Sequence, residues 1–438
     1  MKRLWFAVPL FLLGCPTPSD SDTTETDTEE PGTGLPDGDY LMGIALAPVG
    51  DLLVPFQASL TSEVSDDGSA LFTDMTFRVA DADFNLSDVL TTAQDITISE
   101  WGTFEVPIVI TVPGEFSPTL SPVDITSTLN GTIVDENFFC GDVTGKIDTF
   151  DVDLEGSTFG SVPWEQRADG PAASCDDDRN ATIARIDASD CPTLVAGSNT
   201  SFPSGDNSRS LEVRLPDNYN SETSWPLVFG WHGFSSTADD FLSDDLVAAA
   251  NNHDAILIAP QGLDNGGQTS LDPFSDERRN LDLAFFDDIL TCATASFNID
   301  QSKIFTTGMS NGGLLSGLLL ARRASVLAAA APLSGGIGVA FAEDHKPIPS
   351  LVVWGGETDE AYEQDFHLLA EAMIEKLTDR DHFLITCNHE LGHEIPEGGW
   401  QWVFDFLMAH STESTDSVFA AGITETFPDY CAITQAAQ

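Results

Sequence analysis

A hexapeptide around residue 310 constrains the fold of this chain more than any other feature. Residues 308–313 are Gly-Met-Ser-Asn-Gly-Gly, with an apolar run at 304–307 before them and a helical stretch at 314–323 after them. A sharp turn between a strand and a helix lifts a serine clear of the sheet, and glycines leave room for the strained backbone. The pattern G-x-S-x-G in this setting predicts that Ser310 is a nucleophile. The alternative is an ordinary connection between a strand and a helix.

The sequence around this motif alternates between strand and helix patterns. From about residue 196 onward, short apolar runs are separated by stretches with helical spacing. Such alternation predicts an α/β fold with a mostly parallel sheet and helices on both faces. Ligands of such sheets bind at the carboxyl ends of the strands. We therefore expect residues 196–438 to form one catalytic domain with its site at that edge.

The preceding segment has a different character. Residues 37–165 contain short β-branched and aromatic runs separated by Asp-Gly, Pro-Gly and Asn-Gly pairs, and they contain no histidine. This spacing predicts an all-β sandwich or barrel. We expect an accessory domain that binds a ligand or acts as a spacer. Residues 166–195 are polar and include two cysteines, which predicts a linker held by disulfides.

The first residues are typical of an export signal. Lys2 and Arg3 precede an apolar run of ten residues at 4–13, which is too short to span a bilayer. The run ends at Gly14-Cys15 and resembles a bacterial lipoprotein signal, which predicts a lipid on Cys15; the alternative is an ordinary secretory signal. Residues 16–36 are acidic and polar, and we expect a disordered tether. This interpretation puts the chain at the cell surface, attached to the bacterial membrane by lipid alone.

The composition is strongly acidic. Asp and Glu number 71 against 17 Lys and Arg, which gives a formal net charge of −54 at pH 7. A surface with this charge repels nucleic acids and anionic membranes, so neither is expected as a partner. Salt in a saline habitat or bound divalent cations would relieve the self-repulsion. Residues 81–92 begin like a calcium loop, but Leu86 and Thr92 replace the required glycine and glutamate, which favours a solvated acidic surface.

Cysteine usage agrees with export. Six cysteines remain after Cys15, and an even number in an exported chain favours disulfides. Fifteen connectivities are possible for six cysteines. The predicted pairs are Cys140–Cys175, Cys191–Cys431 and Cys292–Cys387. The first would lie within or just after the β-rich domain, and the second would join the two ends of the C-terminal domain.

A nucleophilic serine needs a base and an acid that orients the base. Asp359 follows a strongly apolar run and is the predicted acid, with Glu357 and Asp365 as nearby competitors. His393 follows the next apolar run and is the predicted base, with His389 as its rival in the same loop. The chain order Ser, Asp, His is the order expected of an α/β-hydrolase.

Two backbone amides must also face the oxygen that becomes negative during attack. One is expected from Asn311, directly after the nucleophile. The other is expected from Phe234, in the His-Gly-Phe sequence at 232–234 after an early apolar run. We interpret the side chain of His232 as structural, because the backbone of this loop would carry the function.

A second motif suggests different chemistry. Residues 389–393 are His-Glu-Leu-Gly-His, the zinc-protease pattern in which both histidines face one metal from a helix. Here the motif follows a strand pattern, contains Gly392 and lies three residues before Pro396, which favours a loop. A zinc peptidase is therefore kept as an alternative. The favoured interpretation needs no metal and no organic cofactor.

Several segments together resemble the polyhydroxybutyrate depolymerase and feruloyl esterase group of α/β-hydrolases over residues 200–410. The matching segments are 231–234, 282–285, 297–300, 308–313, 356–359 and 392–396. The resemblance implies secreted hydrolysis of carboxylic esters, with Ser310, Asp359 and His393 as the triad. Many members of the group carry tryptophans in the loop after 260–262, whereas residues 265–270 contain none. The acyl group is therefore left open among a hydroxyalkanoate, a ferulate and an acetate on a polysaccharide.

The resulting hypothesis is a secreted, lipid-anchored serine esterase whose partner is a polymeric or small ester substrate. A second alternative is a surface protein that binds a polymer and whose hydrolase domain is catalytically silent. The presence of Ser310, Asp359 and His393 in chain order argues against that alternative.

Overall fold

The computed structural model describes most of the chain beyond residue 34. The described ranges are 35–49, 52–65, 69–81, 84–176, 183–265, 268–275, 277, 279–414, 417–423 and 425–435. The predicted signal, Cys15 and nearly all of the predicted tether lie outside the described residues. Within these ranges, no helix has the length and the apolar character that a membrane span requires.

Within the described residues, the first nine strands form one antiparallel sheet. Their bounds are β1 Gly38–Leu46, β2 Leu52–Val64, β3 Ala70–Val79, β4 Thr91–Ile98, β5 Thr103–Val112, β6 Val123–Asp135, β7 Phe138–Ile147, β8 Val152–Asp153 and β9 Ser157–Pro163. Their order is β4-β3-β2-β1-β9-β7-β6-β5, with β8 beside β7. The two outermost strands are joined by a tight turn in which the Ser99 amide donates to the Thr103 carbonyl at 2.9 Å. The sheet thus curls into a nearly closed barrel, which confirms the predicted all-β class.

The barrel follows from the alternation of apolar and polar residues along its strands. In β5, every second side chain from Phe104 to Val112 is buried and those between are exposed, as expected when one face of a strand meets a core. Phe72 and Phe104 meet edge to face inside the barrel, with ring centroids 5.3 Å apart. Aromatic contacts of this geometry add to the stabilisation from apolar burial.

The residues after 196 form a second, mixed sheet. The strands are β10 Gly197–Ser204, β11 Asn207–Arg214, β12 Trp225–Trp231, β13 Ile256–Pro260, β14 Leu263–Asn265, β15 Gln268–Ser270, β16 Ile299–Met309, β17 Ala329–Leu333, β18 Ser350–Trp354, β19 Glu360–Ala361, β20 Gln364–Asp365, β21 Leu384–Asn388 and β22 Cys431–Gln435. The sheet order is β10-β11-β13-β12-β16-β17-β18-β21-β22, and β14–β15 and β19–β20 are separate hairpins. Neighbours from β13 to β21 are parallel. The pairs β10–β11, β11–β13 and β21–β22 are antiparallel.

Helices cover both faces of this sheet. They are α1 Ala238–Phe241, α2 Asp244–Asn252, α3 Leu281–Ser296, α4 Asn311–Arg323, α5 Phe366–Thr378 and α6 Gly399–Met408. Helices α3, α4 and α5 pack into one apolar cluster, whereas α1, α2 and α6 pack into another. The central strands β13, β17 and β18 are buried along their whole length, as expected of parallel strands covered on both faces. The exchanged order of β12 and β13 in such a sheet is that of the α/β-hydrolase fold, and the predicted fold class is confirmed.

The described cysteines form three disulfides, of which only Cys140–Cys175 was predicted correctly. The predicted pairs Cys191–Cys431 and Cys292–Cys387 are wrong. The observed pairs are Cys191–Cys292 and Cys387–Cys431. The segment before Cys191 lies along α3, where Arg185 binds the carboxylate of Asp288, so Cys191 reaches a cysteine on that helix. Cys387 and Cys431 are register partners on β21 and β22, and no pattern in the sequence predicted that these two strands pair.

Candidate active site

Ser310 lies on the turn between β16 and α4. Its backbone has φ 61° and ψ −122°, a conformation that non-glycine residues rarely adopt. The Ser310 amide donates to the Leu333 carbonyl on the neighbouring strand at 3.1 Å, which ties the turn to the sheet. The residue is largely buried, with 8% of its surface exposed. The turn therefore holds Ser310 in a strained but well-supported position at the carboxyl end of the central strand.

The glycines around Ser310 are required by close backbone contacts. A Cβ on Gly308 would lie 2.5 Å from the carbonyl oxygen of Gly312, and a Cβ on Gly312 would collide with the carbonyl oxygen of Trp231. Gly308 and Trp231 are also register partners on β16 and β12. The helix after the turn thus approaches the loop after β12 more closely than any side chain would allow.

Asp359 lies beyond the carboxyl end of β18 and is fully buried. Its Oδ2 accepts hydrogen bonds from the Gly355 amide and the Ser334 hydroxyl, each at 2.8 Å. Its Oδ1 lies 2.6 Å from Nδ1 of His393. Both carboxylate oxygens of Asp359 are thus engaged by neighbouring groups in a buried position.

His393 lies in the loop between β21 and α6. The Gly392 amide donates to the Gly355 carbonyl at 3.0 Å, which fixes this loop to the loop that carries Asp359. The His393 ring also packs on Phe366 with centroids 4.4 Å apart. Since Nδ1 faces Asp359, Nε2 is the nitrogen that is available to exchange a proton with a nucleophile.

The competitors named from the sequence have other surroundings. Glu357 is exposed, and Asp365 caps α5 by accepting from the Leu368 amide at 2.9 Å. His389 accepts from the Leu391 amide at 3.2 Å, and burial lowers its pKa. The buried carboxylate thus pairs with His393 and not with His389.

Ser310 and the His393–Asp359 pair share one edge of the sheet, since each follows the carboxyl end of a parallel strand. Within the described part of the chain, however, no hydrogen bond joins the Ser310 hydroxyl to His393. Catalytic hydrogen bonds are often long in unliganded enzymes and shorten when the substrate binds. The structure therefore places the acid and the base in contact. The serine lies on a separate turn at the same edge of the sheet.

The loop after β12 lies beside Ser310. A Cβ on Gly233 would be 3.6 Å from Cβ of Ser310, so the backbone of this loop borders the serine. Across the described ranges, the amides of Phe234 and Asn311 donate to no group of the protein. The Asn311 side chain, in contrast, bonds both the amide and the carbonyl of Leu271, at 2.8 and 3.1 Å. Two amides without protein acceptors thus flank the serine.

His232 shapes this loop from a fully buried position. Its Nε2 accepts from the Gly262 amide at 2.9 Å, so Nδ1 carries the hydrogen and donates to the Gly233 carbonyl at 2.7 Å. Burial lowers the pKa of His232, which favours this neutral tautomer. Both ring nitrogens are engaged with backbone groups, as expected of a structural histidine.

Ser334 was missed by the sequence analysis. It directly follows β17, is buried, and donates to Asp359. The available signal was a small polar residue at the carboxyl end of a parallel strand, before Gly335 and Gly336. The sheet order, in which β17 lies between β16 and β18, is what places it at the acid.

The histidine motif at 389–393 is not helical. It follows β21 and precedes α6, and Glu390 and Gly392 have φ values of 56° and 79°. His389 and His393 therefore do not occupy successive turns of one helix, the geometry on which the zinc-protease motif depends. Among the described residues, no group of three or more His, Cys, Asp or Glu side chains is placed to hold a metal ion.

Comparison with known proteins relates this region to esterases. Residues 204–391 match the family described as "Putative esterase". Feruloyl esterase D of Neurospora crassa is 31% identical over 156 residues, which are 33% of this chain and 51% of the fungal protein. Poly(3-hydroxyalkanoate) depolymerase C of Paucimonas lemoignei is 26% identical over 115 residues, which are 25% of this chain and 28% of that protein.

Among solved structures, a ferulic acid esterase from Anaeromyces mucronatus in complex with ferulic acid has a TM-score of 0.39 and 17% identity, and the match covers 52% of this chain and 94% of that chain. The chain spans about half the length of the feruloyl esterases that it matches. In its C-terminal region, this chain is similar to esterases, among them a feruloyl esterase and a poly(3-hydroxyalkanoate) depolymerase.

Proposed function

We propose that this chain is a carboxylesterase of the serine hydrolase type, with Ser310 as nucleophile, His393 as general base and Asp359 as the acid that orients it. The observation that carries the proposal is the bond of 2.6 Å between Nδ1 of His393 and Oδ1 of Asp359, at the sheet edge where the strained Ser310 turn lies. The similarity of residues 204–391 to esterases supports it.

The reaction begins when Oγ of Ser310 attacks the ester carbonyl carbon and transfers its proton to Nε2 of His393. The C–O bond of the ester then breaks, and the alcohol leaves with that proton. In the second half, His393 takes a proton from water, whose oxygen attacks the acyl-enzyme. The acid is released as Ser310 recovers its proton.

Asp359 has the role of holding the imidazole and stabilising its positive form. It stays a carboxylate throughout, because its two oxygens are held by donors from Ser334, Gly355 and His393. A buried acid in this position fixes the histidine tautomer that leaves Nε2 unprotonated in the resting enzyme.

The negative oxygen of the tetrahedral intermediate would be held by the amides of Phe234 and Asn311. Both residues flank Ser310, and within the described chain neither amide has a protein acceptor. Backbone donors that are fixed before the reaction stabilise developing charge without reorganisation. His232 holds the first of these loops in place through its bonds to Gly262 and Gly233.

The substrate is proposed to be a feruloyl or other short-acyl ester, or a polyhydroxyalkanoate, in line with the names of the similar proteins. An exported, cell-surface location is proposed as well. It is supported by the three disulfides of the described residues, since such bonds persist in oxidising compartments. The lipid on Cys15 would be the membrane anchor.

The decisive experiment is labelling with a small fluorophosphonate, followed by peptide mapping, together with turnover of p-nitrophenyl acetate and butyrate. Label on Ser310 and loss of label in Ser310→Ala are expected, with kcat lowered by at least about 10⁴-fold. Ser325→Ala, an exposed serine just after α4, is the matched control and should retain both label and turnover. Full turnover by Ser310→Ala would disprove the proposal.

The two alternatives predict different results in the same assays. A zinc peptidase would lose its activity in a chelator and would not be labelled on serine. A catalytically silent binding protein would retain a polymer ligand without turnover or label. Chelator-resistant turnover together with label on Ser310 would exclude both.

A further inference from the structure

An apolar cleft of about 150 Å³ lies between one end of the barrel and the candidate active site. The barrel side of the cleft includes Val54, Phe116 and Phe150, and the other side includes Phe234, Leu271 and Asn311. The barrel residues come from the strand ends at which β1 joins β2, β5 joins β6 and β7 ends. The open end of the barrel therefore faces the loops that surround Ser310.

Direct contacts hold the barrel end in this position. Nε2 of Gln364 donates to the Thr119 carbonyl in the β5–β6 loop at 2.9 Å, so the hairpin that follows Asp359 is bonded to the barrel. A Cβ on Gly338 would lie 2.5 Å from the ring of Phe274 and 3.4 Å from the carbonyl oxygen of Pro118. The two parts of the protein thus touch at the β5–β6 loop, beside the cleft.

The chemistry of the cleft contrasts with that of the protein surface. The described residues that line it carry no charge, although the whole chain has a formal charge of −54. Three lining residues, Leu46, Val54 and Ile125, also line the apolar interior of the barrel. A cavity of this size and lining takes a group such as a benzene ring. The cleft is therefore suited to a neutral apolar group.

The position of the cleft indicates which part of an ester would occupy it. The described residues that line the cleft include Asn311 and Phe234, whose amides would hold the carbonyl oxygen, but neither Ser310 nor His393. The alcohol must leave towards the histidine that protonates it. The acyl chain would then extend from the carbonyl carbon away from His393, towards the cleft lined by Phe234 and Asn311.

We infer that the N-terminal barrel forms one wall of the acyl pocket and selects esters whose acyl group carries an apolar portion about the size of a phenyl ring or a short alkyl chain. The inference rests on the proposed function, because it assumes that Ser310 is acylated. It gives the barrel a part in substrate selection, and Phe116 and Phe150 become residues that determine specificity from outside the α/β-hydrolase sheet.

The test compares kcat/KM for the p-nitrophenyl esters of acetate, butyrate, hexanoate and cinnamate in the full chain. Phe116→Ala and Phe150→Ala each remove an aromatic ring from the wall of the cleft, and Val54→Phe adds one that fills it. Each is expected to lower kcat/KM for hexanoate and cinnamate by about tenfold relative to acetate, as for other apolar pockets. Val109→Ala is the matched control, because Val109 lies on β5 but is 70% exposed on the outer face of the barrel; its ester profile should equal that of the wild type.

Three results would overturn the inference. The first is an unchanged ratio of hexanoate to acetate turnover in all three cleft variants. The second is an equal loss on every ester, acetate included. The third is a loss of selectivity between 1-naphthyl acetate and methyl acetate, which differ only in the alcohol, without any change in the acyl series. Failure of the proposed function would instead be seen in the wild-type protein, as the absence of acetate turnover and of label on Ser310.

Discussion

The hydroxyl of Ser334 donates a hydrogen bond of 2.8 Å to Oδ2 of Asp359, the oxygen opposite the one that binds His393. The strand that precedes Ser334 is neither the strand of the nucleophile nor that of the acid, but the one between them. Ser334 thereby fixes the rotation of the carboxylate, and with it the direction in which the imidazole is held. It is a positioning residue, and its effect on catalysis would pass through Asp359.

Ser334→Ala is expected to lower kcat by roughly tenfold, less than the ~10²–10⁴-fold contribution of a general acid–base group, because Ser334 acts only through Asp359. It should also move the acidic limb of the pH–rate profile to higher pH. The reason is that a carboxylate with one donor fewer attracts the imidazolium more strongly. The measurement is kcat/KM for p-nitrophenyl acetate between pH 5 and 9. Ser417→Ala, which removes a different buried serine, one bonded to His410, should leave the limb in place; an identical shift there would contradict the assigned role.

Replacing each of the two histidines in the loop after β21 by alanine should show which of them is the base. His393→Ala is expected to lower kcat by at least about 10⁴-fold, as loss of a triad member does. His389→Ala should stay within a few-fold of the wild type, since the His389 ring accepts from the Leu391 amide in the same loop and the buried carboxylate of Asp359 binds His393. Turnover of p-nitrophenyl butyrate measures both, and the opposite ranking would make His389 the base.

The stability of the fold should depend on pH through Asp272, which is buried beside Asp282. Burial raises the pKa of this carboxyl from 3.8 to about 7. The folded state then binds the proton more tightly than the unfolded chain, so the contribution of Asp272 to stability is complete below pH 3.8 and is lost as the pH rises through about 7.

Asp272→Asn keeps an oxygen for the amides of Phe274 and Ser275, which Oδ1 accepts at 3.1 and 2.9 Å. The variant should therefore lose this part of the decline in Tm between about pH 4 and 7, a difference of roughly 2–4 °C for each kcal/mol involved. Calorimetry across that range measures it. Asp239→Asn, at an 81% exposed side chain, is the control, and parallel curves for wild type and Asp272→Asn would disprove the assignment.

The net charge of −54 predicts that salt stabilises the fold. Raising NaCl from about 0.01 to 1 M shortens the Debye length from roughly 30 to 3 Å, and we expect Tm to rise by several degrees. If screening is the cause, sodium and potassium salts of equal ionic strength should act alike. A rise that needs only millimolar calcium and is reversed by a chelator would instead indicate a bound divalent cation.

The repeated alternation of strands and helices sufficed to predict the α/β-hydrolase fold, because buried parallel strands are nearly continuous apolar runs. Asp359 and His393 were proposed for the same reason: each follows such a run, and the carboxyl ends of parallel strands share one edge. The structure places these two side chains in contact. Ser334 could not be recognised in this way, because its role depends on the order of the strands and not on any local pattern.

The pairing of cysteines and strands that lie far apart in the sequence could not be predicted either. The bond between Cys387 and Cys431 requires β22 to lie antiparallel beside β21, and β22 is short and is separated from α6 by residues 409–430. The spacing of the β-branched and aromatic runs at 37–165 predicted an all-β sandwich or barrel. It could not show whether the strands would form two layers or close on themselves, because closure depends on the accumulated twist and shear of the whole sheet.

The bond between Cys387 and Cys431 has a consequence for where the protein can become active. Cys387 lies on the strand that leads directly into the loop of His393, and its partner lies on the last strand of the sheet. In a reducing compartment, the edge strand would lose this covalent bond and keep its backbone ladder and the Thr386–Thr434 hydrogen bond, so the proposed base would lie in a less firmly anchored loop. We therefore expect hydrolysis to begin only after the proposed export, when this thiol pair is oxidised. Before that, esters inside the producing cell would not be hydrolysed by this chain.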